Sequence, residues 1–182
     1  MSFSLRDARL SDLAAITAIY ADSVTNGTAS YEMTPPDEAE MQERFLAITS
    51  KGYPYIAAEG RDGAFLGYAY ASAFRTRPAY RWLVEDSIYL APAARGQGIG
   101  RALLAELVDR CTTLGFRQMV AVVGGASPAS IALHHAQGFE LSGTLKGTGF
   151  KHGRWLDTVM MQRSLGDGNT SDPDQLAYPG TL

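Results

Sequence analysis

The sequence Arg95-Gly96-Gln97-Gly98-Ile99-Gly100 is followed by an amphipathic run over residues 101–114. Its three glycines stand at every second position, so side chains leave the backbone N–H groups there uncovered. The run behind them has helical periodicity, with one apolar stripe at Ile99, Leu103, Leu107, Cys111 and Leu114. The N-terminus of such a helix offers free N–H donors and the positive end of the helix dipole. We therefore predict that this stretch is a cradle for a pyrophosphate group.

The sequence of this cradle does not match two other phosphate-binding motifs. A Walker loop needs Lys followed by Ser or Thr after its last glycine, and Arg101-Ala102 stands there. A dinucleotide fingerprint needs the spacing G-x-G-x-x-G, which Gly96, Gly98 and Gly100 lack. The alternative, a glycine-rich turn that leads into an ordinary helix and binds no phosphate, is left open. The flanking sequence has to decide between the two interpretations.

The composition is that of one soluble globular domain. The chain has 182 residues, 46% hydrophobic and 19% charged, and a net charge of −3, which leaves no basic face for nucleic acid. No apolar run approaches the roughly 20 residues that span a bilayer, and the N-terminus lacks a signal-peptide pattern. The single cysteine, Cys111, lies on the apolar stripe and cannot form an internal disulfide. No His, Cys and carboxylate cluster has metal-ligand spacing. We expect a cytoplasmic protein without metal, nucleic-acid partner or membrane partner.

Apolar periodicity and turn residues predict the element order β-α-α-β-β-β-α-β-α-β-β along one domain, residues 1–163. Four helices are predicted. The first ends near Val24, the second covers residues 37–50, the third runs from the cradle to Leu114, and the fourth ends at Gln137. The predicted strands are residues 3–9, 53–59, 64–74, 81–90, 117–123, 139–146 and 155–161. Residues 164–182 hold almost nothing to bury, so we expect a tail that is disordered or lies on the surface.

The predicted strand over residues 81–90 carries three polar residues in its middle, Glu85-Asp86-Ser87. Three in a row break the alternation expected of a half-buried strand, and the break calls for a functional reason. In a regular strand Glu85 and Ser87 share one face and Asp86 lies on the other, which ranks Asp86 lower as a site residue. A bulge at this point would undo that argument.

The cradle resembles the R-x-x-G-x-G/A signature of the GCN5-related N-acetyltransferases (GNAT), and the element order resembles their whole fold. The resemblance implies an α/β fold with a central mixed, mostly antiparallel sheet, flanked by helices and splayed between its two middle strands. It also implies that acetyl-CoA binds, with its pyrophosphate in the cradle and its pantetheine arm in the splay. The residues so implied are Ile88, Tyr89, Leu90, Arg95, Gly96, Gln97, Gly98, Ile99, Gly100 and Arg101.

One residue departs from the family pattern. Many acetyltransferases place an Asn near the start of the helix that follows the splayed strands, where its amide bonds the pantetheine. Ser127 stands there in this chain. A serine can still donate one hydrogen bond, but its shorter reach puts that contact in doubt, not the activity.

Two further strings look like the phosphinothricin N-acetyltransferase branch of this family, and the likeness runs over residues 4–162. The strings are Phe74-Arg75-x-Arg77-x-Ala79-Tyr80-x-Trp82-x-x-Glu85-x-Ser87-x-Tyr89 and Gly149-Phe150-Lys151-His152-Gly153-x-Trp155-x-Asp157. The branch acetylates the α-amino group of phosphinothricin and of analogues such as methionine sulfoximine and sulfone. The likeness also implies a homodimer, with the final strands and residues 147–154 near the contact.

Glu85 is our candidate for the general base. An α-ammonium group must lose a proton before it attacks a thioester, and its pKa is roughly 7.7 to 8.0. A nearby carboxylate therefore helps at neutral pH. The alternative is a solvated strand glutamate, or one that is paired with Arg81. Ser87, on the same face, is assigned to substrate or water, and Asp86 is kept as a lower-ranked substrate-binding candidate.

Arg75 and Arg77 precede this strand. A substrate with an α-carboxylate and a phosphinate or sulfonyl group needs such forked donors, and the resemblance favours Arg77. The alternative is that both are ordinary surface arginines. Tyr31 and Tyr80 are expected to wall the same pocket, unless they pack in the core.

His134 lies on the short helix at a position where the branch has a histidine close to the thioester. The resemblance implies that it donates to the thioester carbonyl or to the departing thiolate. The alternative is a surface or helix-capping histidine. We expect His152 to shape the pocket or the subunit contact.

Other functions stay open at this point. The acceptor of an acetyltransferase could instead be a protein N-terminus, a polyamine or an aminoglycoside. A polycation calls for an acidic pocket, however, and Arg75 and Arg77 predict the reverse. The chain could also be a CoA-binding regulatory module without catalysis, or a nucleotide-binding domain.

Overall fold

A seven-stranded sheet lies at the centre of residues 2–180, which are the residues that the computed structural model describes. Its strands are β1 (Phe3–Asp7), β2 (Tyr55–Gly60), β3 (Phe65–Ala73), β4 (Leu83–Leu90), β5 (Gln118–Gly124), β6 (Glu140–Lys151) and β7 (Arg154–Ser164). The spatial order is β1-β2-β3-β4-β5-β7-β6, and neighbours are antiparallel except for the parallel pair β4 and β5. The prediction of a mixed, mostly antiparallel sheet is confirmed.

Helices cover both faces of the sheet. They are α1 (Leu13–Asn26) and α2 (Glu38–Thr49) on one face, and α3 (Ile99–Thr113) and α4 (Pro128–His135) on the other. The alternation along β3 serves both layers, because Tyr68 packs with α1 and α2 while Ala69 and Ala71 pack with α3. None of the helices within residues 2–180 has the length and apolar character needed to cross a membrane.

The two middle strands separate halfway along their length. β4 pairs with β5 only from Leu83 opposite Gln118 to Asp86 opposite Ala121. Beyond these pairs β4 stays bonded to β3 and β5 stays bonded to β7, but no pairing joins β4 to β5. The predicted splay is therefore present, and it opens directly after Asp86.

The last two strands are longer than predicted and join in a tight hairpin. The glycines of residues 147–154 predicted a loop, but β6 and β7 continue to a turn at His152-Gly153. Both turn residues have positive φ angles, +51° and +72°, as short hairpin turns require. Gly147, with a φ of +59°, lies in a register irregularity, so it interrupts the pairing without ending the strand.

The tail beyond β7 lies on the surface of the domain, where a few apolar residues anchor it. Leu165 is fully buried, and the ring of Tyr178 lies edge-on to Phe116 with centroids 5.8 Å apart. The Tyr178 hydroxyl also donates to the Lys51 carbonyl oxygen (2.6 Å). A few apolar anchors thus hold a polar segment that composition alone assigns to solvent. The expectation for residues 181 and 182 lies outside the described residues.

Candidate active site

The predicted cradle is an open loop at the N-terminus of α3. Gly96 and Gly98 have positive φ angles of +74° and +80°, and no heavy atom lies within 4 Å of the position that a Cβ would take at either residue. Gly98 is the N-cap of α3, and no side chain caps the first turn. Ile99 and Gly100 are buried beneath the loop, and Arg101 is exposed beside it. The N–H groups of the first turn are therefore accessible, and the arrangement fits a diphosphate group.

Two side chains of the cradle hold the loop itself in place. Arg95 donates from Nη2 to Asp22 of α1 (3.0 Å) and lies 3.5 Å from the carbonyl oxygen of Leu90. Gln97 donates to the carbonyl oxygen of Ala93 (2.6 Å). These contacts tie the cradle to α1 and to the end of β4. Direct contact of either side chain with the cofactor stays a prediction.

Ile88, Tyr89 and Leu90 lie past the last β4–β5 pair, on the strand edge that faces the opening. On their other side they pair with β3, where Leu90 stands opposite Gly67. A Cβ on Gly67 would lie 2.6 Å from the Tyr89 carbonyl oxygen, so only a glycine lets the two backbones approach this closely. The backbone groups of β4 that point into the opening have no strand partner. They suit an extended ligand that bonds them as another strand would.

Ser127 is the N-cap of α4. Its hydroxyl oxygen accepts a hydrogen bond from the backbone N–H of Ser130 at 3.4 Å. The hydroxyl keeps its own proton for a further acceptor. Its bond to the pantetheine arm stays a prediction.

Glu85 lies half-buried on the sheet face that α1 and α2 cover. It stands opposite Ser72 on β3 and Val120 on β5, and its side chain makes no hydrogen bond or ion pair with any of residues 2–180. Burial raises the pKa of the Glu85 carboxyl, the charge of Asp86 raises it further, and the charge of Arg75 lowers it. A carboxylate with these properties is a general-base candidate.

The pairing of Glu85 with Arg81 that we considered as an alternative is absent from residues 2–180. The guanidinium of Arg81 lies 5.3 Å from the ring centroid of Trp82 and donates to the carbonyl oxygen of Pro179 (3.3 Å). Arg81 is thus engaged by the neighbouring ring and the tail. Glu85 keeps its carboxylate oxygens free.

Three tyrosines that the sequence analysis did not single out form, together with Tyr89, the floor beside Glu85. Tyr70 stands opposite Ser87 on β4, and the ring centroid of Tyr89 lies 5.1 Å from that of Tyr20 and 5.3 Å from that of Tyr68. A signal for them existed in the sequence. The pairs Tyr68-x-Tyr70 and Ser87-x-Tyr89 have the period of a strand, so each places both members on one face.

The loop between α1 and α2 is clamped over this face by charged residues whose role the sequence analysis also missed. The hydroxyl of Tyr20 donates to Glu32 (2.9 Å), and Arg44 donates to both carboxylate oxygens of Glu32 (2.7 and 3.4 Å). The buried Lys151 donates to the carbonyl oxygen of Ser30 (2.8 Å), and burial lowers the pKa of its ammonium group. Lys151 and Ser30 are 121 positions apart, so no local pattern could have paired them.

Tyr31 belongs to the same connection between α1 and α2, and His152 of the β6–β7 turn lies next to it. The Tyr31 hydroxyl accepts from the backbone N–H of Gly125 (3.1 Å) and donates to the Asp157 carbonyl oxygen (3.0 Å). His152 places Nε2 at 3.2 Å from the carbonyl oxygen of Gly27. Tyr31 thus lies at the end of β5, where its ring borders the opening. Its hydroxyl is already engaged in hydrogen bonds to backbone groups of the protein.

Arg75, Arg77 and Tyr80 lie in the exposed connection that leads into β4. The guanidinium of Arg75 lies 4.1 Å from the ring centroid of Phe74, and Tyr80 meets the same ring edge-on at 6.3 Å. Arg77 is the N-cap of a short 3-10 helix, and its side chain is exposed. Since the charge of Arg75 acts on Glu85, this connection borders the Glu85 face.

Asp86 and His134 lie on the opposite face, in a buried pair with Asp86 Oδ2 3.0 Å from His134 Nε2. His134 Nδ1 faces the Ser130 carbonyl oxygen at 2.7 Å, so both ring nitrogens have protein partners. The structure therefore does not place Asp86 with the acceptor residues, because its side chain points away from Glu85. His134 is neither on the surface nor a helix cap. No group of three or more His, Cys, Asp or Glu side chains in the described part of the chain is arranged to hold a metal ion.

The chain is similar to known acetyltransferases over almost its whole length. The acetyltransferase (GNAT) domain family matches residues 5–160. The chain is 52% identical to phosphinothricin N-acetyltransferase of Alcaligenes faecalis over 94% of this chain and 87% of that protein. It is 43% identical to L-methionine sulfoximine/L-methionine sulfone acetyltransferase of Pseudomonas paraeruginosa, over 91% of this chain and 96% of that protein. The crystal structure of a phosphinothricin acetyltransferase from Sinorhizobium meliloti in complex with AcCoA superposes with a TM-score of 0.97 at 65% identity, covering 100% of this chain and 98% of that one.

Proposed function

Because this chain belongs to the GNAT family of acetyl-CoA-dependent N-acetyltransferases, we propose that it acetylates the α-amino group of phosphinothricin, methionine sulfoximine or sulfone, or a related small amino acid analogue, by direct transfer. The observation that carries this proposal is the position of Glu85. It is a half-buried carboxylate without a protein partner, one residue before β4 and β5 separate. It lies on the same face of β4 as Ser87, and the positive charge of Arg75 partly offsets the rise in its pKa that burial causes.

The cradle and the opening of the sheet are the parts that would hold acetyl-CoA. The accessible N–H groups at Gly96, Gly98 and the first turn of α3 bind the pyrophosphate, because the helix dipole favours an anion there. The unpaired backbone edge of residues 88–90 aligns the pantetheine arm along β4. When bound, acetyl-CoA supplies the acetyl group as a thioester.

Glu85 removes a proton from the α-ammonium group of the acceptor, so that the nitrogen lone pair can attack. A carboxylate with an ordinary pKa is a weak base for an ammonium group whose pKa is roughly 7.7 to 8.0. Burial raises the pKa of Glu85 and so brings the two groups closer in proton affinity. The lack of a hydrogen-bond partner leaves its oxygens available to the acceptor or to a water molecule.

Arg75 and Arg77 hold the acidic groups of the acceptor in this proposal. Both are exposed in the connection that leads into β4, and the charge of Arg75 acts on Glu85. A guanidinium binds a carboxylate or phosphinate through two parallel hydrogen bonds. The tyrosine floor beneath them suits the apolar stem of a methionine-like or glutamate-like side chain. The proposal therefore separates recognition of the acid groups from proton transfer at the amine.

An acetyltransferase for a protein N-terminus, a polyamine or an aminoglycoside remains the alternative within the family. A polycationic acceptor would meet the positive charges of Arg75 and Arg77 at the entrance to the Glu85 face, which disfavours it. A nucleotide-binding domain of another fold does not agree with the match of residues 5–160 to the GNAT family.

We also propose that the enzyme is a cytoplasmic homodimer that contacts its partner through the β6–β7 hairpin. β6 is an edge strand, and four large apolar side chains stand exposed on this hairpin: Leu141 (66%), Leu145 (54%), Phe150 (57%) and Trp155 (70%). An exposed edge strand that carries apolar residues needs a covering partner. A second copy of the hairpin would cover both the edge and the side chains.

Thiol release from acetyl-CoA tests the proposed reaction, with phosphinothricin, methionine sulfoximine and spermidine as parallel acceptors. Turnover of either amino acid analogue and none of spermidine is the expected result, and turnover of spermidine alone would contradict the proposal. The protein's own thiol does not disturb the assay. Cys111 is fully buried, and burial raises its pKa to about 12.

A further inference from the structure

Asp86 and His134 form a buried pair that joins β4 to α4. Their side chains are only 2% and 5% exposed, and Asp86 Oδ2 lies 3.0 Å from His134 Nε2. The other ring nitrogen, Nδ1, lies 2.7 Å from the carbonyl oxygen of Ser130. A carbonyl oxygen only accepts hydrogen bonds, so Nδ1 must carry a proton. Nε2 then faces the carboxylate and needs a proton there as well.

This geometry suits the doubly protonated, positively charged ring. Burial lowers the pKa of His134, but the hydrogen bond and charge of Asp86 outweigh it, so the pKa is raised above its usual value. The other ionisable groups nearby do not stabilise the positive charge on the His134 ring. Cys111 of α3 faces Asp86 as a neutral thiol, and Arg163 of β7 packs on the ring of Phe139, 5.9 Å from its centroid. Among the ionisable groups of residues 2–180, Asp86 is thus the one that favours the charged form of His134, and the carbonyl oxygen of Ser130 adds to its effect.

The pair stands where the sheet opens. Asp86 forms, with Ala121, the last pair between β4 and β5. Its second oxygen, Oδ1, is buried and has no hydrogen-bond partner among the described residues. A buried carboxylate with an empty acceptor position costs stability, and an apolar residue beside Ala71 and Ala121 would avoid that cost. This ion pair lowers the stability of the fold and lies beside the opening of the sheet. Both facts point to a role other than packing.

We propose that Asp86 is a positioning residue for acetyl transfer, which keeps His134 protonated and its ring fixed beside the opening between β4 and β5. This inference rests on the proposed function. Both N–H groups of His134 donate to protein oxygens, so the ring acts through its fixed charge and not as a proton donor. Glu85 takes the proton of the ammonium group before the attack, and the nitrogen gives up its second proton to water as the N–C bond forms and the C–S bond breaks. His134 stabilises the negative charge that the sulfur gains with the electron pair of the breaking C–S bond.

An NMR titration of the histidine rings tests the first half of this proposal without any substrate. The chain has three histidines, so the signals of His134 can be told apart from those of His135 and His152. In the wild type His134 should titrate above the usual value of about 6.5, and in Asp86→Asn below it, because burial then acts without the carboxylate. The ring signals of His135 and His152 serve as internal references in both spectra.

The pH profile of acetyl transfer to methionine sulfoximine tests the second half. Asp86→Asn should lower kcat by about 10-fold, less than the roughly 10²-fold loss expected for a group that transfers a proton itself. The wild-type kcat should fall on the alkaline side as His134 loses its proton, and in the variant this fall should move to lower pH. The matched control is Asp12→Asn, which removes the carboxylate of another buried ion pair, 2.8 Å from Arg6, and should keep the wild-type profile.

Two results would overturn the proposal. The first is a His134 titration that Asp86→Asn leaves unchanged. The second is a shifted titration together with a wild-type kcat profile, because Asp86 would then serve packing alone. If the Asn variant does not fold, Asp86→Ser removes the same charge with a smaller side chain and replaces it in both measurements. If the wild type turns over neither amino acid analogue, the proposed function fails, and the NMR titration by itself decides whether Asp86 keeps His134 protonated.

Discussion

Glu85 and Asp86 are adjacent in β4 and point to opposite faces of the sheet. Glu85 stands opposite Ser72, on the side of α1 and α2, whereas Asp86 stands opposite Ala71 and reaches His134 of α4 at 3.0 Å. The pairing of β3 with β4 runs through both residues without a bulge, so the alternation is regular. Two neighbouring carboxylates are therefore available for different tasks, one on each side of the opening.

Replacement of Glu85 by Gln should lower kcat by roughly 10²-fold or more, because an amide cannot accept the proton of the ammonium group. Calorimetry should show wild-type affinity for acetyl-CoA, since the cradle lies in another part of the chain. Glu43→Gln, on the exposed side of α2, is the matched control and should keep full activity. Thiol release that Glu85→Gln leaves intact would assign the base to another residue.

The same substitution should stabilise the fold at neutral pH. The pKa of Glu85 is raised in the folded protein, so the folded state favours the neutral carboxyl and the ionised form costs stability. The wild type has its full relative stability below the unfolded pKa of about 4.5 and loses it as the pH rises through the raised pKa. Melting temperatures of the two proteins should therefore agree near pH 4 and diverge toward pH 7, with Glu85→Gln higher. A wild type that melts above the variant at pH 7 would contradict the raised pKa.

Truncation of the entrance arginines should weaken acceptor binding. Arg77→Ala and Arg75→Ala should each raise KM for methionine sulfoximine by about 10-fold, the size expected for a lost hydrogen bond to a charged group. KM for acetyl-CoA should not change. Arg61→Ala, in the exposed turn between β2 and β3, is the control for loss of a positive charge. If neither entrance variant differs from this control, the acid groups are held elsewhere, and Arg44 and Lys151 are the next cations to test.

Substitution of Gly98 by Ala should reduce the affinity for acetyl-CoA. Gly98 has a φ of +80°, where a Cβ costs about 1–2 kcal/mol, so the loop would relax away from the shape that exposes its N–H groups. Calorimetry with acetyl-CoA measures the loss, which should be about 10-fold. Gly63→Ala is the matched control, because Gly63 lies in the turn between β2 and β3 and has nearly the same φ, +79°, with open space around its Cβ position. Equal affinities for the two variants would argue against the cradle.

A charge on the exposed hairpin should separate the dimer. Trp155 is 70% exposed in the single chain and lies at the tip of β7, so Trp155→Glu should yield a monomer of 19.6 kDa in analytical ultracentrifugation. Leu176→Glu is the matched control, since Leu176 is 98% exposed and belongs to the tail, not to the hairpin, and this variant should stay dimeric. A wild type that sediments as a monomer would refute the proposed homodimer.

The sequence by itself determined the parts of this protein that depend on neighbours in the chain. Helical periodicity behind the three glycines placed α3 and its open N-terminus, and strand periodicity placed Glu85 and Asp86 on opposite faces. The order of strands and helices followed from turn and capping residues, and the splay from the resemblance to the GNAT family. These features are local or motif-based, so a single sequence carries them.

Only the tertiary structure decided which distant groups meet. His134 and Asp86 are 48 positions apart, and Lys151 and Ser30 are 121 positions apart, so no periodicity links either pair. Composition predicted a disordered or surface tail, and only the folded structure shows that Leu165 and Tyr178 anchor it to the domain. The raised pKa of His134 likewise depends on Asp86 of β4, whose hydrogen bond and charge outweigh the opposing effect of burial. Such properties arise from the dielectric surroundings and contacts of the folded chain, and these exist only once the sheet and helices have packed.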